Sequence, residues 1–426
     1  MNNVSKVVLA AMLILASGAF ALSAGFAINE QGTRAMAQAM AFVARANDPS
    51  AVFFNPAGIT QLEGTQFYLG GTLIAQGTTW EGTTGSVESD DRMEYPPHMY
   101  FTQQINDRIF FGFGFFVPYG LSKKWPDEFP GVYGSKPARL LPYCFNPNLA
   151  IKLNDRVSFA VGFDIMHSEA TLERVLNLQA LSNQIFGGYP IDDGFFSAEV
   201  SGTGYGWNVA MHAQLTEKMF VGVSYRSHVE IDYDGDLTLT IPTTGVPTID
   251  GTLAALFPNQ QVATSITMPD TLYAGIGGKV TERFETEFDV QWTNWKDYDE
   301  LPFVFSQPTQ VLRDVIYPKN WEDGWAFRWG NEFHYTESSD LRFGFYYDLN
   351  PVPDATLDSM LPDSDRISFQ VGYGWHNEHW TFDLAYMYLY FMDREINNDP
   401  NLHIIPSSGS YNSSGHLFGL SLGYKF

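Results

Sequence analysis

The sequence predicts an all-β fold: a 14-stranded antiparallel transmembrane β-barrel with an N-terminal plug, or hatch, inside its lumen. Three observations predict it. From residue 63 to Phe426, segment after segment alternates apolar and polar residues with period two. Short and long connections between those segments alternate without exception. Residues 24–62 do neither, so they have no place in the wall.

Composition bounds the alternatives. Hydrophobic residues make up 45%, charged residues 17% and aromatics 15% of 426 residues, and Gly is plentiful at 38. Beyond the N-terminus no run approaches the roughly 20 apolar residues that a membrane helix needs. Aromatic girdles, glycines at strand bends and weak mean hydropathy together fit a barrel of the outer-membrane type. The formal net charge of −24 disfavours nucleic acid as a partner, because binding it needs clustered Lys and Arg. The single cysteine, Cys144, rules out an internal disulfide framework and reads as an inert strand residue.

Residues 1–23 read as a leader. Lys6 supplies its positive end, Val7 to Leu15 its apolar core, and Ala21-Leu22-Ser23 a small-residue cleavage site, with Ala19-Phe20-Ala21 as an alternative. Export beyond the inner membrane of a Gram-negative cell is expected. The plug follows at residues 24–62, and the barrel at 63–426. Within the plug, TRAMAQAMAFVAR from Thr33 to Arg45 predicts a helical run with Met36, Met40 and Val43 on one face.

Strands are predicted near 65–76, 92–104, 108–118, 139–152, 157–170, 200–214, 219–232, 266–279, 284–294, 321–335, 341–349, 366–375, 380–391 and 415–426. In the last, Phe418, Leu420, Leu422, Tyr424 and Phe426 share one face. The ninth places Glu285, Glu287, Asp289 and Gln291 on one face, which must look into a lumen because lipid cannot solvate charge. The twelfth points Ile367, Phe369, Val371, Tyr373 and Trp375 outward. Parity turns Met387, Leu389, Phe391, Phe110 and Phe116 inward, an apolar lining that suits an apolar solute. The short connections, at 106–107, 154–155, 216–218, 281–282, 338–339 and 377–378, mark the periplasmic end.

The wall is weakest at the third strand. Gly112 and Gly114 oppose Phe111, Phe113 and Phe115, and the neighbouring strands carry Pro96-Pro97, Pro142 and Pro147. Proline donates nothing to a ladder, and Gly in a strand often marks a bend or bulge. The residues permit two readings: a strand end at the rim, or an interruption opening sideways toward lipid.

The chain resembles the FadL/TodX-type outer-membrane transporters of long-chain fatty acids and hydrocarbons. The resemblance covers essentially the whole mature chain. It rests on AGFAINEQG after the leader, Asn55-Pro56-Ala57, FGFGFFVPYGL from Phe111 to Leu121 and LERV from Leu172 to Val175. NPVPD from Asn350 to Asp354, LPDSDR from Leu361 to Arg366 and the aromatic C-terminus complete it. It implies passive uptake of a hydrophobic small molecule, most of all a long-chain fatty acid, without cofactor or catalysis, by a monomer surrounded by outer-membrane lipid and lipopolysaccharide. It also implies a kink at Phe111 to Gly114, a hatch motif at Asn55, Pro56 and Ala57 beside an inner pocket, and Arg174 near the ligand's acidic head. A second basic contact falls near Lys319, Glu322 and Arg328. Acidic Glu322 leaves fatty-acid specificity open, and aromatic or aliphatic hydrocarbons by the same route are the alternative. A lipid hydrolase or an adhesive barrel are readings of another class.

Other motifs carry little. Gly202 to Gly206 lacks a following helix, and Gly419 to Gly423 lies inside the last strand, so neither makes a phosphate loop or a nucleophile elbow. His376 and His379 straddle a turn. Asp90, Asp91, Asp363 and Asp365 read as solvated loop carboxylates, or as sites for divalent ions that bridge lipopolysaccharide.

Overall fold

A computed structural model describes residues 25–131, 138–396 and 408–426, so the expected leader lies outside the described residues. The wall strands are β1 (Thr65–Gly82), β2 (Pro97–Gln104), β3 (Ile109–Phe116), β4 (Ala138–Lys152), β5 (Val157–Leu176) and β6 (Gly194–Thr216). Next come β7 (Met219–Arg226, continuing as Val229–Thr240), β8 (Gln260–Met268, continuing as Thr271–Thr281) and β9 (Phe284–Thr293). The last five are β10 (Gly324–Thr336), β11 (Ser339–Asp348), β12 (Arg366–His376), β13 (Trp380–Phe391) and β14 (Gly409–Lys425). Neighbours pair antiparallel. β14 returns to β1 from Gln66↔Lys425 to Glu81↔Ser410, and this closes a 14-stranded barrel. Closure removes the free edges that lipid would leave without hydrogen bonds.

Side-chain alternation sorts the faces as the sequence predicts. Phe369 and Val371 of β12 are each 55% exposed, toward lipid. Glu287, Asp289 and Gln291 of β9 are buried inside, as are Met387 and Leu389 of β13. The strands run further outward than expected. β1, β5, β6, β7 and β8 each continue through residues that read as loop, with Tyr233 to Leu237 of β7 still in register with β6 and β8. On β7 the outward row is acidic from Glu230 and Asp232 on through Asp234 and Asp236, so hydropathy drops while period-two pairing persists.

These extensions carry a second apolar cluster above the barrel. It joins α-helices Leu178–Ile185 and Pro247–Leu256 to Phe196, Leu237, Val262 and Phe303.

The N-terminal segment, residues 25–62, adds no strand to the wall and is almost wholly buried. The helical run expected over Thr33 to Arg45 is cut to one turn, Thr33–Met36. Ala39 and Met40 take left-handed φ values of 57° and 56°, which no helix accommodates. Met36, Met40 and Val43 are all buried, but not as one helical face. The segment instead lays its backbone directly on the wall. A Cβ on Gly330 of β10 would sit 2.4 Å from the Gln38 carbonyl oxygen, and one on Gly344 of β11 would sit 2.6 Å from Ala39 N.

Candidate functional site

The wall breaks just beyond β3. Through Phe111 to Gly114 the strand stays paired on both sides, to β2 (Thr102↔Gly112, Tyr100↔Gly114) and to β4 (Gly112↔Asn148, Gly114↔Asn146). The kink that the sequence placed there is displaced outward. Gly112 and Gly114 face inward, where Cβ atoms would meet Val52 at 2.8 and 3.0 Å. Their role in the fold is close approach rather than bending.

After Phe116 the chain turns inward at Val117 to Gly120. Pro118 O accepts from Ile28 N at 2.8 Å, and Gly120 N donates to Phe26 O at 2.9 Å, so this stretch pairs with the N-terminal segment instead of the wall. It rejoins β4 as Leu121–Lys123. Among the described residues, Leu141, Pro142 and Tyr143 of β4 have no strand partner on that side, and they face the chain before β2. Prolines border the break at 96, 97, 118 and 142, and they bring no N–H group that lipid would strand.

Two cavities meet behind this break. The inner one, about 490 Å³, runs from the N-terminal segment (Gly25 to Glu30) past Leu389, Phe391 and Leu417 to Tyr95, Pro96, Leu141 and Tyr143 at the break. The outer one, about 110 Å³, lies under the second apolar cluster, among Ala198, Val200, Val262, Ile266, Leu301 and Phe303. Phe26, Leu121, Arg139, Leu140 and Leu361 line both. Phe26 therefore stands between them. Its ring packs edge-on against Trp295 at 4.7 Å, Tyr298 at 5.6 Å and Tyr119 at 6.0 Å.

Few charges face the outer cavity. Lys319 Nζ pairs with Asp358 at 2.9 Å. Burial disfavours the Lys319 ammonium, but the Asp358 carboxylate outweighs it and holds the lysine above its usual range. Arg174 lies over the Tyr317 ring at 5.5 Å, close enough to oppose the Lys319 charge, yet outside the lining itself. Arg328 is not with them. It is buried deeper in the lumen, bonded to Gln291 and to Ala39 O and lying over Tyr346 at 5.1 Å. Of the basic residues the sequence singled out, Arg174 and Lys319 come together and Arg328 serves the N-terminal segment.

Asn55 lines neither cavity. Its Nδ2 donates to Val43 O at 2.7 Å and to Met211 O of β6 at 3.0 Å, while Oδ1 accepts from Ala57 N at 3.1 Å. It caps the 3-10 turn Pro56–Gln61 and ties the segment to the wall. Pro56 sits at the first position of that turn, where a missing N–H costs nothing. Ala57 is fully buried beside it.

Carboxylates of the wall hold the rest. Asp289 Oδ2 accepts from Phe42 N and Val43 N at 2.8 and 3.0 Å; Glu287 accepts from Ala44 N at 2.6 Å and from Arg45 N and Nε at 3.1 and 2.8 Å. Arg34 grips Glu332 of β10 through Nε at 3.0 Å and Nη2 at 2.7 Å. Arg342 links Glu332 onward to Asp383, which Tyr68 of β1 also reaches at 2.9 Å. Sequence parity placed Glu287 and Asp289 inside but named no partner for them, and it did not single out Glu332 or Asp383.

Asp91, Asp363 and Asp365 are tied into the structure, whereas Asp90 is exposed, as expected of a solvated loop carboxylate. Asp91 accepts from Lys123 Nζ at 2.6 Å, Asp90 pairs with Lys124, Asp363 accepts from Gly25 N at 2.7 Å and Asp365 from Asn350 N at 3.0 Å. His376 and His379 diverge, the first toward Asp340 and the second to Lys425 O. Cys144 is buried and free.

The family described as outer membrane protein transport protein (OMPP1/FadL/TodX) matches residues 13–426. The chain belongs to this family. Its members are transport channels of the Gram-negative outer membrane, not enzymes. Among relatives, the chain is 25% identical to the long-chain fatty acid transport protein of Escherichia coli K12, over 95% of each chain. It is 23% identical to outer membrane protein P1 of Haemophilus influenzae, over 100% of each. Among solved structures, a Pseudomonas aeruginosa FadL homologue superposes with a TM-score of 0.81 at 20% identity, covering 95% of this chain and 100% of that one. The Pseudomonas putida toluene transporter TodX does so with 0.72 at 17% identity, covering 94% and 99%.

Proposed function

We propose that the protein takes up long-chain fatty acids passively: the molecule enters the outer cavity, passes Phe26 to the inner one and leaves sideways between β2 and β4. The observation that carries this reading is that the inner cavity ends at the break in the wall. Its volume of about 490 Å³ is in the usual range for small-molecule sites. The N-terminal segment acts as the hatch, since its contacts with Val117 to Gly120 form one side of the route.

Affinity comes from the tail. Each buried CH₂ contributes about 0.8 kcal/mol, so a long acyl chain gains on the order of 10 kcal/mol before ordering costs. One partly exposed Arg–carboxylate pair adds roughly 0–1 kcal/mol. Arg174 then orients the head group rather than setting affinity, and a net-acidic protein still accepts a fatty acid. Hydrocarbon uptake by the same route is the second reading, favoured by Asp358 already neutralising Lys319.

The test is uptake of labelled oleate and of toluene by cells with and without the protein, paired with mass spectrometry of co-purified ligand. Oleate uptake that depends on the protein, with fatty acid co-purified, is expected. Normal oleate uptake without the protein contradicts the proposal, and protein-dependent uptake of toluene alone selects the hydrocarbon reading.

A further inference from the structure

We propose that His228, Asp270 and Asp297 form a binding site for one divalent transition-metal ion of the zinc class, on the outer wall of the barrel. The site arises where three adjacent strands break at one height. Arg226, Thr271 and Thr293 are cross-strand partners in β7, β8 and β9. His228 falls in the gap of β7 just beyond Arg226, Asp270 in the gap of β8 just before Thr271, and Asp297 in the turn Trp295–Asp297 after β9. Three ligand-type side chains are thereby brought to one place from three strands.

The donor geometry suits a small cation. One donor atom from each residue lies within 4.8 Å of the others. His228 Nδ1 is 3.6 Å from Asp270 Oδ1 and 3.9 Å from Asp297 Oδ2. Tetrahedral zinc, with bonds of about 2.0–2.1 Å, spaces its donors about 3.4 Å apart, close to both separations from His228. Asp270 is already oriented, accepting from Tyr225 Oη at 2.5 Å, His228 N at 2.9 Å and Asn294 Nδ2 at 3.2 Å. Such outer bonds are what fix a metal-binding carboxylate. Asp297 Oδ1 accepts from Asn294 Nδ2 at 2.9 Å, whereas its Oδ2 is shielded from solvent and faces the His228 imidazole at 3.9 Å beside the Asp270 carboxyl. Among those residues no Lys or Arg pairs with either carboxylate, so the local negative charge has only the imidazole against it. An imidazole with two carboxylates is a donor set that zinc accepts, leaving a fourth position for water or an external oxygen.

The location suggests what the ion does. His228 is 59% exposed on the outer wall. Directly below, Tyr225, Leu272, Trp292 and Trp325 stand side by side in register, as in the aromatic girdle at a membrane surface. A bound ion would clamp the seam where the membrane-spanning wall passes into the outer extensions. The other mixed cluster, Glu285, Glu332 and His334, differs because Arg34 and Arg342 already neutralise Glu332.

The experiment is equilibrium dialysis of the full-length protein in detergent against zinc chloride, with metal content read by mass spectrometry and barrel folding checked by heat-dependent gel mobility. One zinc per chain is expected. His228→Ala and Asp297→Asn should each weaken binding at least tenfold, while His334→Ala retains it. Zinc also raises the unfolding temperature of the parent protein but not of Asp297→Asn. Equal zinc retention by the parent and both site variants overturns the proposal, as does failure of the parent to hold zinc.

Discussion

Four consecutive backbone N–H groups, from Phe42 to Arg45, converge on the carboxylates of Glu287 and Asp289. Hydrogen bonds to charged acceptors contribute about 1.5–3 kcal/mol each. Glu287→Gln keeps the shape but removes the charge that Arg45 pairs with. It should loosen the N-terminal segment, seen as faster amide exchange over residues 42–45 with the barrel itself unchanged; unaltered exchange would remove Glu287 as an anchor. Phe26 presents the opposite chemistry, an apolar ring dividing two cavities. Phe26→Ala should join them and speed uptake of a fluorescent fatty acid, and slower uptake would give Phe26 a binding role instead. Arg174→Ala should weaken fatty-acid binding more than hydrocarbon binding, by up to about 1 kcal/mol, consistent with a partly exposed pair. Equal loss for both ligands would exclude Arg174 as a head-group contact.

Elements explain what single residues do not. The inward glycines let the N-terminal backbone lie directly on the wall. Gly344→Val forces a side chain into Ala39 and should displace the segment, raising sensitivity to small hydrophilic antibiotics while the barrel still assembles. Unchanged sensitivity would mean that the segment yields without opening a path. Alternation made the wall legible in the sequence because a period of two needs no partner to be read. The end of β7 beyond residue 232 was missed because Asp234 and Asp236 look like loop by hydropathy, although Tyr233 and Leu237 keep the inward face. The helical reading of Thr33 to Arg45 failed for another reason. Ala and Met favour helix locally, but tertiary contacts with Gly330 and Gly344 bend the chain at Ala39 and Met40. The break near β3 was legible in kind, through its prolines and glycines, but not in place. Which glycine bends a strand and which admits a neighbour depends on what lies opposite, and only the fold shows Val52 there.

At the scale of the molecule, a closed barrel carries its own N-terminal segment, residues 25–62, buried against the inner face of its wall. What it offers is a cavity that begins among outer apolar residues and ends between β2 and β4, at edges that are unpaired among the described residues. That geometry favours a molecule that is as comfortable in lipid as in the cavity, and it separates sideways exit from descent past the N-terminal segment. A fatty acid carrying a photoreactive diazirine near its tail, cross-linked during uptake and mapped by mass spectrometry, distinguishes the two. Sideways exit predicts adducts at Phe26, Leu389, Tyr95 and Leu141 to Tyr143. Adducts at Thr60, Gln61 and His212, below Asn55 on the periplasmic side, with none at Tyr95 or Leu141 to Tyr143, would contradict it.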